Sequence, residues 1–104
     1  MTSKEYAFAP GSLKAKSGKV TFTLDNQGKI EHEFVVLKTN AAPGSLKVGS
    51  SGRVSEKDSV GEVSETKAGS KQSASFKLAP GKYVFVCNIP GHYKDGMSGQ
   101  LTVN

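Results

Sequence analysis

Tyr83-Val84-Phe85-Val86-Cys87-Asn88-Ile89-Pro90-Gly91-His92-Tyr93-Lys94-Asp95-Gly96-Met97 decides how this chain is read. A run of strand-forming residues ends on the only cysteine of the sequence. A loop rich in Gly and Pro then presents one histidine and one methionine. Four residues separate Cys87 from His92, and four more separate His92 from Met97. Thiolate, imidazole and thioether on one short loop form a soft donor set of the kind that suits copper. Taken singly, a lone Cys or Met is most simply a buried apolar residue. Here His92 and Met97 sit among Gly91, Lys94, Asp95, Gly96 and Ser98, a loop composition in which side chains are held for function more than for packing. A structural zinc site would want more thiolates, and one cysteine cannot close a disulfide.

A fourth ligand has to come from elsewhere, and the only other histidine is His32. Two imidazoles and a thiolate in a trigonal set, with a weak axial thioether, is the geometry of a blue-copper electron-transfer site. At this point the chain resembles the cupredoxins. The C-x4-H-x4-M spacing is more similar to auracyanin and rusticyanin than to plastocyanin, whose Cys–His gap is shorter. The resemblance implies an all-β Greek-key sandwich of seven to eight strands in two sheets, a single domain over residues 1–104. It implies one type 1 copper ion held by His32, Cys87, His92 and Met97. It also implies a carrier of single electrons between larger redox proteins, not an enzyme, since no position is left open for substrate. Plastocyanin and azurin carry an Asn after the first histidine ligand, where its side chain ties the ligand loops together; this chain has Glu33. Glu31, not Gly, precedes His32, so four ligands are expected and not five. Backbone N–H groups of Glu33 and Ile89 are placed to donate to the Cys87 sulfur.

Two other classes remain open on the residues alone. A copper delivery or storage module would favour exposed, exchangeable ligands, and a Cys–His pair is also the kit of a nucleophilic hydrolase. An intense blue or green Cu(II) form would belong to the carrier alone.

The bulk properties fit one domain with a core large enough to fold by itself. Thirteen Lys and one Arg against nine acids give a net charge of +5. A surface with so little Arg argues against nucleic acid, because phosphate and base forks prefer Arg; solubility or a redox partner with an acidic docking surface explains it better. No apolar run reaches the length of a membrane span. No signal peptide is visible, and Met1-Thr2-Ser3 reads as a start left after removal of a targeting segment or anchor. The expected location is therefore periplasmic or otherwise extracytoplasmic, as a monomer.

Hydrophobic alternation places the strands. Lys4 to Ala9 reads as a first strand, with Tyr6 and Phe8 on one face. Leu13 and Ala15 mark a second, and Val20, Phe22 and Leu24 the clearest one. Asp25-Asn26-Gln27-Gly28 reads as a turn. Ile30, His32, Phe34 and Val36 then share a core face. Residues 39–69 read as loop with one short strand at 62–66. Ser73 to Leu78 and Gln100 to Val103 are further strands. Tyr83, following Ala79-Pro80-Gly81, is placed for a tyrosine corner. His92 is expected to bring its ring edge to the surface inside an apolar collar of Ile89 and Pro90, with Pro10 and Pro43 beside them and Lys94 at the rim.

Overall fold

A computed structural model describes all 104 residues of the chain. Nine strands form two mixed sheets packed face to face. They are β1 Thr2–Lys4, β2 Ala7–Ala9, β3 Ser12–Ala15, β4 Gly18–Asn26, β5 His32–Lys38, β6 Ser59–Thr66, β7 Lys71–Leu78, β8 Gly81–Val86 and β9 Ser98–Val103. The first sheet has the order β2-β1-β4-β7 and the second β3-β9-β8-β5-β6. β1 runs parallel to β4 and β3 parallel to β9; the other pairs are antiparallel.

The alternation read in the sequence makes the core. Phe8, Phe22, Leu24, Phe34, Val36, Tyr83, Phe85 and Leu101 meet between the sheets, with Cys87 and Met97 at one end of the same layer. Phe34 stands at the centre, in ring contact with Phe8, Phe22 and Phe85. The Tyr83 hydroxyl donates to the Ala79 carbonyl at 2.7 Å, so the corner before β8 is tied as expected.

Three expectations are corrected. The strand expected over Lys4 to Ala9 is a hairpin: β1 and β2 pair through Lys4 and Ala7, with Glu5 and Tyr6 at the tip. That raises the strand count to nine and leaves Tyr6 43% exposed while Phe8 is buried. Asn26 is not a turn residue but the fully buried end of β4. Ile30 does not join the core face; it lies in the loop before β5 and is exposed.

β5 is buried on both faces, which alternation alone does not reveal. Its outer face, with Val35 and Leu37, packs with Val84 and Val86 of β8 against Val54, Tyr93 and Leu46. The segment between β5 and β6 thus folds back over the second sheet. It holds one short 3-10 turn at Pro43–Ser45 and an isolated bridge between Val48 and Val54. The strand expected at 62–66 exists but begins earlier, at Ser59.

Candidate metal centre

Cys87 is the first residue beyond β8 and keeps the inward face of Tyr83 and Phe85. The loop that follows closes on itself. Cys87 N–H donates to the Met97 carbonyl at 3.1 Å, and Met97 N–H to the His92 carbonyl at 3.1 Å. His92 N–H donates to Ile89 O, Asp95 N–H to Gly91 O, and Gly96 N–H to Tyr93 O. Gly91 and Gly96 adopt positive φ of 86° and 111° at two of these turns, conformations that favour glycine. His32 opens β5, beside a register irregularity against β6 between His32 and Phe34; such bulges re-aim side chains near sites.

These elements bring three donors together. Cys87 Sγ lies 3.2 Å from His92 Nδ1 and 3.8 Å from His32 Nδ1. All three ligand atoms fall within 4.8 Å of one another, and all three residues are buried. Bonds of about 2.0 Å to nitrogen and 2.3 Å to sulfur at trigonal angles would set sulfur and nitrogen roughly 3.7 Å apart, between the two separations seen. Met97 is fully buried in the same layer, its main chain bonded to both Cys87 and His92.

Without a metal ion the surroundings favour a neutral thiol and a neutral imidazole. Burial pushes the Cys87 thiol up to about 11, against the pull of N–H groups from Glu33 and Ile89; the charges of Glu33 and Glu65 add to the rise. The Glu33 N–H donates to Sγ at 3.3 Å. Burial, then the neighbouring His32, lowers the pKa of His92 and keeps its ring neutral and able to bind. A metal ion would therefore have to displace the thiol proton itself.

His92 reaches the surface less than expected. It is 7% exposed, because the Tyr6 ring meets it edge-on, with centroids 5.2 Å apart at 67°. Of the residues expected in the collar and at its rim, Ile89 and Pro43 are half-buried and Pro10, Pro90 and Lys94 are exposed.

Sequence reasoning missed the groups that brace the site. Asn88, next to the cysteine and 1% exposed, accepts from Val54 N–H at 2.9 Å. It donates to Val54 O at 3.0 Å and to Glu56 at 2.7 Å. The Tyr93 hydroxyl donates to Pro43 O at 2.6 Å and accepts from Leu46 N–H at 2.8 Å. Asn88 and Tyr93 thus tie the ligand loop to the segment covering β5. This tie runs to a segment without ligands; the His32 and Cys87 segments are joined by the Glu33 N–H that donates to Cys87 Sγ. Glu33 itself is buried, and burial with repulsion from Glu56 and Glu62 raises its carboxyl to about 7, with Arg53 opposing.

The whole chain, residues 1–104, matches the model of copper binding proteins of the plastocyanin/azurin family. The chain belongs to that family. Its donor cluster makes copper the cofactor of this cupredoxin, in a type 1 site. Auracyanin-B of Chloroflexus aurantiacus is 51% identical over 37 residues, which cover 35% of this chain and 16% of that protein. The copper-resistant cuproprotein CopI of Rubrivivax gelatinosus is 32% identical over 92% of this chain and 59% of its own length. The chain therefore spans less than two thirds of either relative. Among solved structures, reduced auracyanin from Roseiflexus castenholzii superposes with a TM-score of 0.81 at 25% identity, covering 99% of this chain and 93% of that one. No helix of the chain is long and apolar enough to cross a membrane.

Proposed function

We propose that this cupredoxin carries single electrons between larger redox proteins outside the cytoplasm, and that His32, Cys87, His92 and Met97 hold its copper. Bound copper supplies a one-electron Cu(II)/Cu(I) couple. The observation that carries the reading is a closed donor cluster: two Nδ1 atoms and one Sγ, buried and mutually close, on a loop braced by its own main chain. His32 and His92 bind through Nδ1, the atoms that face Sγ. The N–H of Glu33 stabilises the thiolate, and Met97 contributes its thioether weakly from the same buried layer. The sandwich and the self-bonded loop hold the donors in one arrangement, so little rearrangement need accompany a change of charge.

Electrons are proposed to pass through the His92–Tyr6 contact, with Tyr6, Pro10, Ile89 and Pro90 as the apolar collar and Lys94 at its rim. A net charge of +5 favours partners with acidic docking surfaces. A second reading, copper sequestration, is favoured by the likeness to CopI. It fits less well with ligands that are all buried, because rapid exchange wants exposed ones.

Titration of purified protein with Cu(II) should give one equivalent, an intense blue or green colour and a reversible one-electron couple. Met97→Leu should keep the copper and the colour and raise the potential by removing a donor to Cu(II). A colourless complex, or colour lost in Met97→Leu, would refute the ligand set. Release of the copper to weak chelators within minutes would favour sequestration.

A further inference from the structure

The turn between β1 and β2 brings a carboxylate to the back of the first histidine. Glu5 Oε1 accepts from Lys29 N–H at 2.7 Å, from Ile30 N–H at 2.9 Å and from His32 Nε2 at 3.3 Å. Its side chain is 25% exposed, while that of His32 is fully buried. The loop from Asn26 to His32 is moulded on this group. A Cβ at Gly28 would stand 2.6 Å from Glu5 Oε1, so a larger residue there would push the carboxylate out of this position. Buried Asn26 supports the loop from the other side: its Nδ2 donates to Ile30 O and Thr66 O, both at 2.8 Å, and its Oδ1 accepts from Gly28 N–H at 2.9 Å. Gln27 N–H donates to Ser3 O at 2.9 Å, fastening the same loop to β1. The carboxylate is thus delivered by one segment and received by another more than twenty residues away.

We propose that Glu5 is a positioning residue of the copper centre, holding the His32 ring with its proton on Nε2 and its Nδ1 free to bind, and lowering the reduction potential through its negative charge. The inference rests on the ligand role proposed above for His32. A carboxylate only accepts hydrogen bonds, so the nitrogen facing it must carry the proton. The other nitrogen, 3.8 Å from Cys87 Sγ, is left with a lone pair toward the donor cluster. An anion behind a metal-bound imidazole makes it a stronger donor. It therefore favours the ion of higher charge, the oxidised one. The peptide N–H groups of Lys29 and Ile30 keep the carboxylate in place independently of the histidine.

Two measurements test this. In metal-free wild-type protein, proton–nitrogen NMR of His32 should find the proton on Nε2; a proton on Nδ1 overturns the proposal. Glu5→Gln keeps an oxygen that can accept all three hydrogen bonds but removes the charge. It should keep the blue spectrum and lose about tenfold in Cu(II) affinity relative to Cu(I), which raises the potential by about 59 mV. Glu5→Asp keeps the charge but withdraws it, and should fall between the two. A Glu5→Gln potential within twofold of wild type on the same scale, about 18 mV, with the spectrum intact, overturns the proposal. If Glu5→Gln does not fold, the tautomer and the Glu5→Asp potential still decide. A wild-type protein without a blue Cu(II) form would instead count against the ligand set, and the metal-free tautomer would still be readable.

Discussion

Replacing Asn88 with alanine should cost the metal-free protein about 3 kcal/mol. Three hydrogen bonds are lost: two with the main chain of Val54, at 2.9 and 3.0 Å, and one to Glu56 at 2.7 Å. Val54 is 5% exposed, so its N–H and carbonyl are left without partners away from solvent. Each such orphan costs about 1–3 kcal/mol, which gives roughly 2–6 in total. A water entering the space left by the amide would recover part of this, since several polar groups line it. The Glu56 carboxylate simply returns to solvent. For a chain near 100 residues, about 1 kcal/mol moves the melting temperature by roughly 4–8 °C, so a fall of at least about 12 °C is expected. The chain has no Trp, so guanidinium unfolding should be followed by far-ultraviolet circular dichroism. A loss below about 0.5 kcal/mol with an unchanged denaturant slope, the range of an ordinary surface substitution, would refute the reasoning. Asn88→Asp sharpens the test. It can still accept from Val54 N–H but sets a second carboxylate against Glu56, so adding Glu56→Gln should restore part of its stability.

Tyr83→Phe removes one hydrogen bond at the corner before β8 and should cost about 1 kcal/mol with the copper spectrum unchanged; an equal melting temperature would show the corner to be idle. Glu33 gives the metal-free protein a pH dependence. Between its ordinary 4.5 and the folded value of about 7, the folded chain holds a proton that the unfolded chain has released. Stability should therefore fall as pH rises through that window and level off above it. The lowered pKa of His92 adds an opposing rise over part of that window, so the test is a difference: Glu33→Gln should remove the falling contribution, and a wild-type-minus-variant stability difference flat from pH 4.5 to 7 would contradict the assignment. Copper at a hundredfold its dissociation constant should add about 2.7 kcal/mol by mass action, read as a higher melting temperature for the loaded form; coincident melting curves would show that the native state gains nothing from the ion.

Much of the sandwich was legible because inward and outward positions alternate along β4, β7 and β9, and because turn residues punctuate them. The donor residues were legible because Cys87, His92 and His32 are too few to be assigned otherwise. The misses share one physical cause. Alternation reports a strand buried on one face, and β5 is buried on two: Val35 and Leu37 need a cover that no local pattern announces. The cover, residues 39–58, is polar and irregular, and it is held by single side chains such as Asn88 and Tyr93 whose partners lie more than thirty residues away. Glu5 was invisible for the same reason. It sits at a hairpin tip that reads as the middle of a strand, and its meaning appears only once the Lys29–Ile30 loop closes over it. Tyr6 followed the strand error, which set it on one face with Phe8 when its ring in fact meets His92 edge-on.

The hydrogen bond from Cys87 N–H to the Met97 carbonyl is the first rung of the ladder between β8 and β9, continued by the pairing of Val86 with Ser98. Everything between those two residues is therefore an excursion from a hairpin that would close without it. The scaffold demands that the chain leave at one rung and return at the same rung, and that Asn88 and Tyr93 hold residues 39–58 on the way. What happens in between, how many residues and which ligand comes where, is left to the excursion. Such a segment behaves as a cassette with two fixed anchors, and exchanging it for one of another length that keeps Asn88 and Tyr93 in place should re-tune the metal while the rest of the sandwich stays as it is.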